Sequence, residues 1–144
     1  LSSGLSVGRR QGGDLEGKRI AVFVDLIENP DSDRAFEVFW EERAGEFASS
    51  LVVKRTERAW LTPAEGTLCT KAVMEAIRKE WGEQGNGDVH LFLRVPFPMA
   101  VLLGHLSNTL ECVVYEWGTT EYSAAIGVKS GSGAGAVREV FLSR

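Results

Sequence analysis

From Ile20 to Leu26, in "KRIAVFVDL", almost every position is apolar, the pattern of a strand covered on both faces. The period then changes. Phe36, Phe39, Trp40 and Phe47 recur at helical spacing through "DRAFEVFWEERAGEF", and Asp31, Ser32 or Asp33 stands ready to cap that helix. A second strand is predicted from about Leu51 to Leu61. Thr62, Pro63 and Glu65 then combine a capping box with proline at the first helical position, which predicts a helix to about Trp81, ended by "GEQGNGD". Val89 to Val95 reads as a third strand. Alternation puts His90, Phe92 and Arg94 on one of its faces and Leu91, Leu93 and Val95 on the other. The next helix carries Met99, Leu102, Leu103 and Leu106 on one side. "ECVVYEW" and "YSAAIGV" are two further strands, joined as a hairpin through Gly118 and Thr119, and "VREVFL" has the character of a final strand.

The order β-α-β-α-β-α-β-β, with helices long enough for right-handed crossovers, predicts an α/β fold. Its expected form is a Rossmann-like three-layer sandwich with a mainly parallel sheet and a C-terminal hairpin. With 144 residues, 44% of them hydrophobic, the chain suits one core. Residues 1–17, rich in Gly and Ser and without sustained periodicity, are expected to be a flexible segment or linker, and residues 18–144 a single lobe. Ser130 to Gly135 reads as a second linker. A first residue Leu1 rather than Met suggests a processed or excised piece.

A net charge of −4 argues against broad binding to DNA or to an anionic membrane, but not against a short nucleotide held in a pocket. No apolar run approaches a membrane span, and no signal peptide opens the chain. Cys69 and Cys112 sit in apolar stretches without zinc spacing, as reduced core thiols of a cytoplasmic protein would.

Ligands of such sheets bind outside the carboxyl ends of the strands, which selects the loops after Asp25, Trp60 and Val95. In "VPFPMA" the helix is expected to start at Pro98 with Phe97 as its cap. A phenyl ring accepts no hydrogen bond, so the amides of Met99 and Ala100 need another partner, either water or a phosphate or ribose oxygen. Arg94 next to that turn is a candidate for phosphate, with a salt bridge to Asp25 or Glu116 as the alternative. Trp60 and Phe97 are candidates for stacking on a base, against plain core packing. Thr62 and Thr67 offer hydroxyls, although capping accounts for Thr62. Asp25 is placed to accept a ribose hydroxyl. The acidic run of Asp25, Glu28, Asp31 and Asp33 suits either magnesium or manganese, or a solvated turn favouring a helix start; no metal or cofactor is expected. The glycines of "GSGAGA" lack the strand-to-helix setting of a dinucleotide fingerprint, and His90 and His105 belong to no triad or metal pair.

The segment "HLFLRVPFPMAVLLGH", followed by "CVVYEW" and "EYSAAIGV", resembles the core of the SAVED domain, from about Ile20 to Val128 and most strongly from Val89 onward. The resemblance implies a relative of the CARF ring-nucleotide sensors of bacterial CBASS and type III CRISPR antiphage systems. That family has two fused lobes, binds cyclic oligoadenylates or cyclic trinucleotides, commonly oligomerises on binding and activates an attached effector. This chain has room for about one lobe. The expected function is therefore a cyclic-oligonucleotide sensing module controlling an effector in cis or in trans. Its expected partners are a second copy, a second SAVED lobe or an effector chain. Expected ligand contacts are Arg94, Pro96, Phe97, Met99, Ala100, Trp60, Thr62 and Asp25, with no catalytic residue. Two alternatives stand beside it: a ring nuclease using Arg94, Thr62 and the Asp25 loop, and a structural lobe whose turn at Pro96 packs on a partner.

Overall fold

The computed structural model describes residues 4–27, 34–56, 62–106, 110–117, 122–129 and 137–140, with side chains described as far as Tyr115 except at Phe97, Leu102, His105 and Leu106. The elements are β1 (Leu5–Gln11), β2 (Ile20–Asp25), α1 (Arg34–Arg43), β3 (Ser49–Arg55), α2 (Pro63–Glu83), β4 (Val89–Arg94), α3 (Phe97–Leu106), β5 (Glu111–Trp117), β6 (Tyr122–Lys129) and β7 (Val137–Val140). The strands form one mixed sheet in the order β1-β3-β2-β4-β5-β6-β7. Strands β3, β2, β4 and β5 run parallel, while β1, β6 and β7 pair antiparallel. Gly118 and Thr119 lie outside the described residues.

Each face of the sheet has its own core. Val22, Val24, Leu51, Val53 and Leu91 meet α2 and α3 through Val73, Ile77, Met99 and Leu103 in an aliphatic layer. On the other face Phe23 and Phe92 meet Phe36, Phe39 and Trp40 of α1, with Phe47 and Tyr115, in an aromatic layer. This division follows from strand alternation: all of β2 is buried, so its odd and even positions must suit different partners. Arg94 takes the face of Phe92 and His90, as alternation predicts.

The leading segment is a correction to the sequence reading. Residues 5–11, expected to be flexible, form the edge strand β1 against β3. Hydrophobic patterning misses it because charge rather than apolar burial anchors it. Arg9 reaches α2 on one face, where it pairs with the buried Glu80, and Arg10 reaches α1 on the other, 2.7 Å from Glu37 and over the ring of Trp40. Leu5 stands opposite Arg55, and the carbonyl of Gly4 accepts from both the amide and the hydroxyl of Thr56, each at 2.7 Å.

A second correction concerns β3, which spans Ser49–Arg55 rather than running from about Leu51 to Leu61: its last two residues are already charged, and the exposed Thr56 that follows is outside the strand. The capping box opening α2 is present: Thr62 Oγ1 accepts from the Glu65 amide at 3.2 Å, and Glu65 Oε1 accepts from the Thr62 amide at 3.4 Å.

In the aromatic layer the His90 ring is buried, with Nδ1 2.7 Å from the Tyr115 hydroxyl and Nε2 without a partner among the described residues. Burial, helped by the nearby Arg19 and Arg43, lowers its pKa to about 4. An unfolded chain therefore takes up a proton near pH 6.5 that the folded chain refuses until about pH 4. Stability is flat above that window and falls as pH drops through it, by up to about 1.4 kcal/mol per pH unit. Urea melts from pH 7 to 4 should show this slope in the native protein and a slope smaller by about one proton in a folded His90→Asn variant; equal slopes would exclude His90 as its source.

Candidate functional site

The connections out of β2 and β4 diverge. From β2 the chain crosses to β3 by way of α1, on the aromatic face; from β4 it crosses to β5 by way of α3, on the aliphatic face. Opposite crossovers from adjacent parallel strands leave a crevice at their carboxyl ends. Asp25 and Arg94, which end β2 and β4, are register partners there, and Asp25 is likewise opposite Lys54 of β3. Because directly paired residues share a face, the three side chains form one row on the aromatic side, a step beyond the Phe23 and Phe92 pair.

The row is charged and only partly open to water. Asp25 is 6% exposed, and its Oδ1 accepts from the Ile27 amide at 3.2 Å. Arg94 is half-buried, and its Nε is fully buried without a hydrogen-bond partner among the described residues. A guanidinium N–H withheld from both water and protein is costly, and an anion would repay that cost. On the other face Arg55 lies 3.8 Å from Glu65 with its side chain 8% exposed. The Thr62 contacts, followed by the charge of Arg55, lower the pKa of Glu65, so it stays ionised. Three cations and two carboxylates thus collect at one rim of a chain whose net charge is −4. Helices α2 and α3 both begin at that rim, each with the positive end of its dipole toward it.

The two prolines of the turn have a different role from the one expected. Helix α3 starts at Phe97, so Pro96 is its cap residue and Pro98 its second position. Of the four amides that a helix start leaves unpaired, the prolines delete two. The Pro96 carbonyl takes the Met99 amide at 2.9 Å and the Ala100 amide at 3.1 Å. The expectation that Met99 and Ala100 present free donors is therefore corrected: both amides are satisfied, and the Met99 side chain lies in the core, facing Gly66 of α2.

Other expected contacts are distributed unevenly. Thr62 stands at the rim, but its hydroxyl accepts from Glu65 and donates to Glu65 Oε1 at 2.8 Å, which leaves one lone pair. Trp60, Glu28, Asp31 and Asp33 lie outside the described residues, as does the side chain of Phe97. Among the described residues no group of acidic, His or Cys side chains is placed to hold a metal ion. Both cysteines are buried and neither is in a disulfide, and burial pushes the Cys112 thiol up to about 12. Sequence reasoning missed Lys54 and Arg55. Their signal was the sudden charge of "KRTER" after "SSLVV", which marks the end of β3 once that strand is not carried on to Leu61. A polar depression of about 450 Å³ bordered by Lys18, Arg19, Glu46 and Asp88 lies at the opposite, amino ends of the strands.

The family model described as the SMODS-associated and fused to various effectors sensor domain, SAVED, matches residues 5–128, a span that includes β1. The chain belongs to the SAVED family. Among solved structures, this SAVED chain is similar to the Acinetobacter baumannii Cap4 SAVED/CARF-domain containing receptor with the cyclic trinucleotide 3'3'3'-cAAA, at 16% identity and a TM-score of 0.66, over 83% of this chain and 26% of that one. The same receptor with 2'3'3'-cAAA matches at 17% identity and a TM-score of 0.64, over 83% and 26% of the two chains. A third structure of the receptor matches at 17% identity and a TM-score of 0.58, over 82% and 25%. The likeness is one of fold. The SAVED chain spans about a quarter of the length of these receptors. No curated protein matches it. Among its described residues no helix is long and apolar enough to cross a membrane.

Proposed function

We propose that this SAVED chain is a sensing lobe for a cyclic oligonucleotide, a cyclic oligoadenylate or cyclic trinucleotide, in a bacterial antiphage system, and that it controls an effector in cis or in trans without consuming its ligand. The observation that carries the reading is the buried Nε of Arg94, without a hydrogen-bond partner among the described residues, at the crevice between β2 and β4. Lys54 and the start of α3 supply further positive potential for phosphate, and Asp25 supplies an acceptor for a ribose hydroxyl. We read the sheet as a Rossmann-like sandwich closed by a β5–β6 hairpin, and residues 18–144 with β1 as one lobe. One rim covers one side of a ring of three phosphates, so enclosure calls for a second lobe, a second copy or an effector chain. A cytoplasmic setting suits two buried thiols that form no disulfide.

Calorimetric titration with 3'3'3'-cAAA and 2'3'3'-cAAA, with light scattering before and after, tests the reading. Saturable binding with growth in mass is expected. A chain that is folded yet silent toward cyclic oligoadenylates and trinucleotides alike would overturn it. Chromatography of the same mixture after prolonged incubation with magnesium or manganese should return the ring intact; linear products would make the protein a ring nuclease.

A further inference from the structure

Beneath α3, between that helix, α2 and the strands β4 and β5, lies a cavity of about 250 Å³. Met74, Ile77, Leu93, Leu103, Cys112 and Val114 line most of it, and Gly104 is the exposed member of the lining. It lies on the aliphatic face, opposite the Asp25, Arg94 and Lys54 row: Leu93 and Ala100 line its end nearer the crevice, and Leu103 and Gly104 its end toward the far part of α3. Interiors pack to crystal-like density, and a void of this size forfeits a sizeable share of a small domain's stability. Water is a poor filler, because a buried water needs two to four polar partners. The buried side-chain polar atoms without partners among the described residues belong to Ser49, His90 and Arg94, none of which borders the cavity. Two of the six carry sulfur, the Met74 thioether and the Cys112 thiol, and neither is charged, burial holding the thiol protonated.

We propose that this cavity is a binding site for a small, uncharged, apolar molecule of about the size of one or two fused aromatic rings, since an apolar cavity of roughly 150 Å³ already admits benzene. Charged compounds are disfavoured, because nothing among the described lining residues would replace their lost hydration. Gly104 is where the lining reaches the surface, and a methyl group added there would meet no atom of the described residues within 4 Å. This inference does not depend on which nucleotide the rim binds.

The chain has two methionines, and Met74 borders the cavity while Met99 does not. Methyl-labelled methionine in the whole chain therefore gives an inside probe and an internal control. Titration with indole should shift the Met74 methyl resonance saturably and Met99 much less, whereas benzoate should move neither. Ala100→Leu, which places three more carbons in the cavity, should raise the melting temperature and weaken indole at least tenfold. A Met74 signal indifferent to indole up to its solubility limit would overturn the proposal. So would equal binding of benzoate, undiminished binding by the Ala100→Leu chain, or a lower melting temperature for that chain, which would mean that the space is already filled.

Discussion

Replacing Arg94 with alanine is expected to weaken binding of a cyclic trinucleotide by about 1.5–3 kcal/mol, roughly ten- to 150-fold, the worth of a charge-assisted hydrogen bond to phosphate. The loss should be felt in binding alone. Removing Arg94 also removes a buried N–H that has no partner among the described residues, so the variant should be no less stable, and its urea midpoint should match or exceed that of the parent. Arg94→Lys should fall between, since it keeps the charge and loses the planar fork. Lys54→Ala should cost less, about 1 kcal/mol, because a flexible ammonium gives up more conformational freedom for each contact. An Arg94→Ala chain that binds as the parent does would remove this residue from the site and, with it, the observation on which the functional reading rests.

The second large effect is expected in the aromatic layer. Phe36 is fully buried, stacked on Phe23 at 5.1 Å and edge-on to Phe92 at 5.0 Å, and it is the residue through which α1 seats on the middle of the sheet. Phe36→Ala should cost about 3–5 kcal/mol, a large part of an ordinary domain's stability, whereas Phe36→Leu should cost much less because most of the volume remains. Denaturant titration should show a lowered midpoint with an unchanged slope. Nucleotide binding by the folded Phe36→Leu chain should be close to that of the parent, which separates packing from recognition. A cost below about 1 kcal/mol for alanine would mean that the aromatic layer closes over the gap or is packed loosely.

Sequence periodicity reached the middle of this molecule more readily than its margins. Strand β2, helix α2 with its capping box and the two faces of β4 were legible because burial on both sides of a sheet dictates apolar runs and caps follow local chemistry. Strand β1 was not, since what holds it are ion pairs to Glu80 and Glu37, residues 71 and 27 positions away along the chain. At the site, Arg94 and Asp25 could be named from strand ends alone. Lys54 could not, because its place in the row depends on a register that only the assembled sheet provides. The α3 turn shows the opposite error: a proline pair that looks like an invitation to a ligand is first a way of removing amides that would otherwise need one.

The antiparallel course of β1 has a mechanical consequence. Because Leu5 stands opposite Arg55, the start of the strand is at the rim proposed to receive the ligand, not at the far end of the sheet. Polypeptide joined ahead of Leu5 would leave the lobe beside Lys54, Arg55 and Thr62, tied to the same corner through the two Thr56 hydrogen bonds to Gly4. Any shift of that corner on ligand binding would reach such a tether directly, over a lever arm of a few residues, without crossing the core.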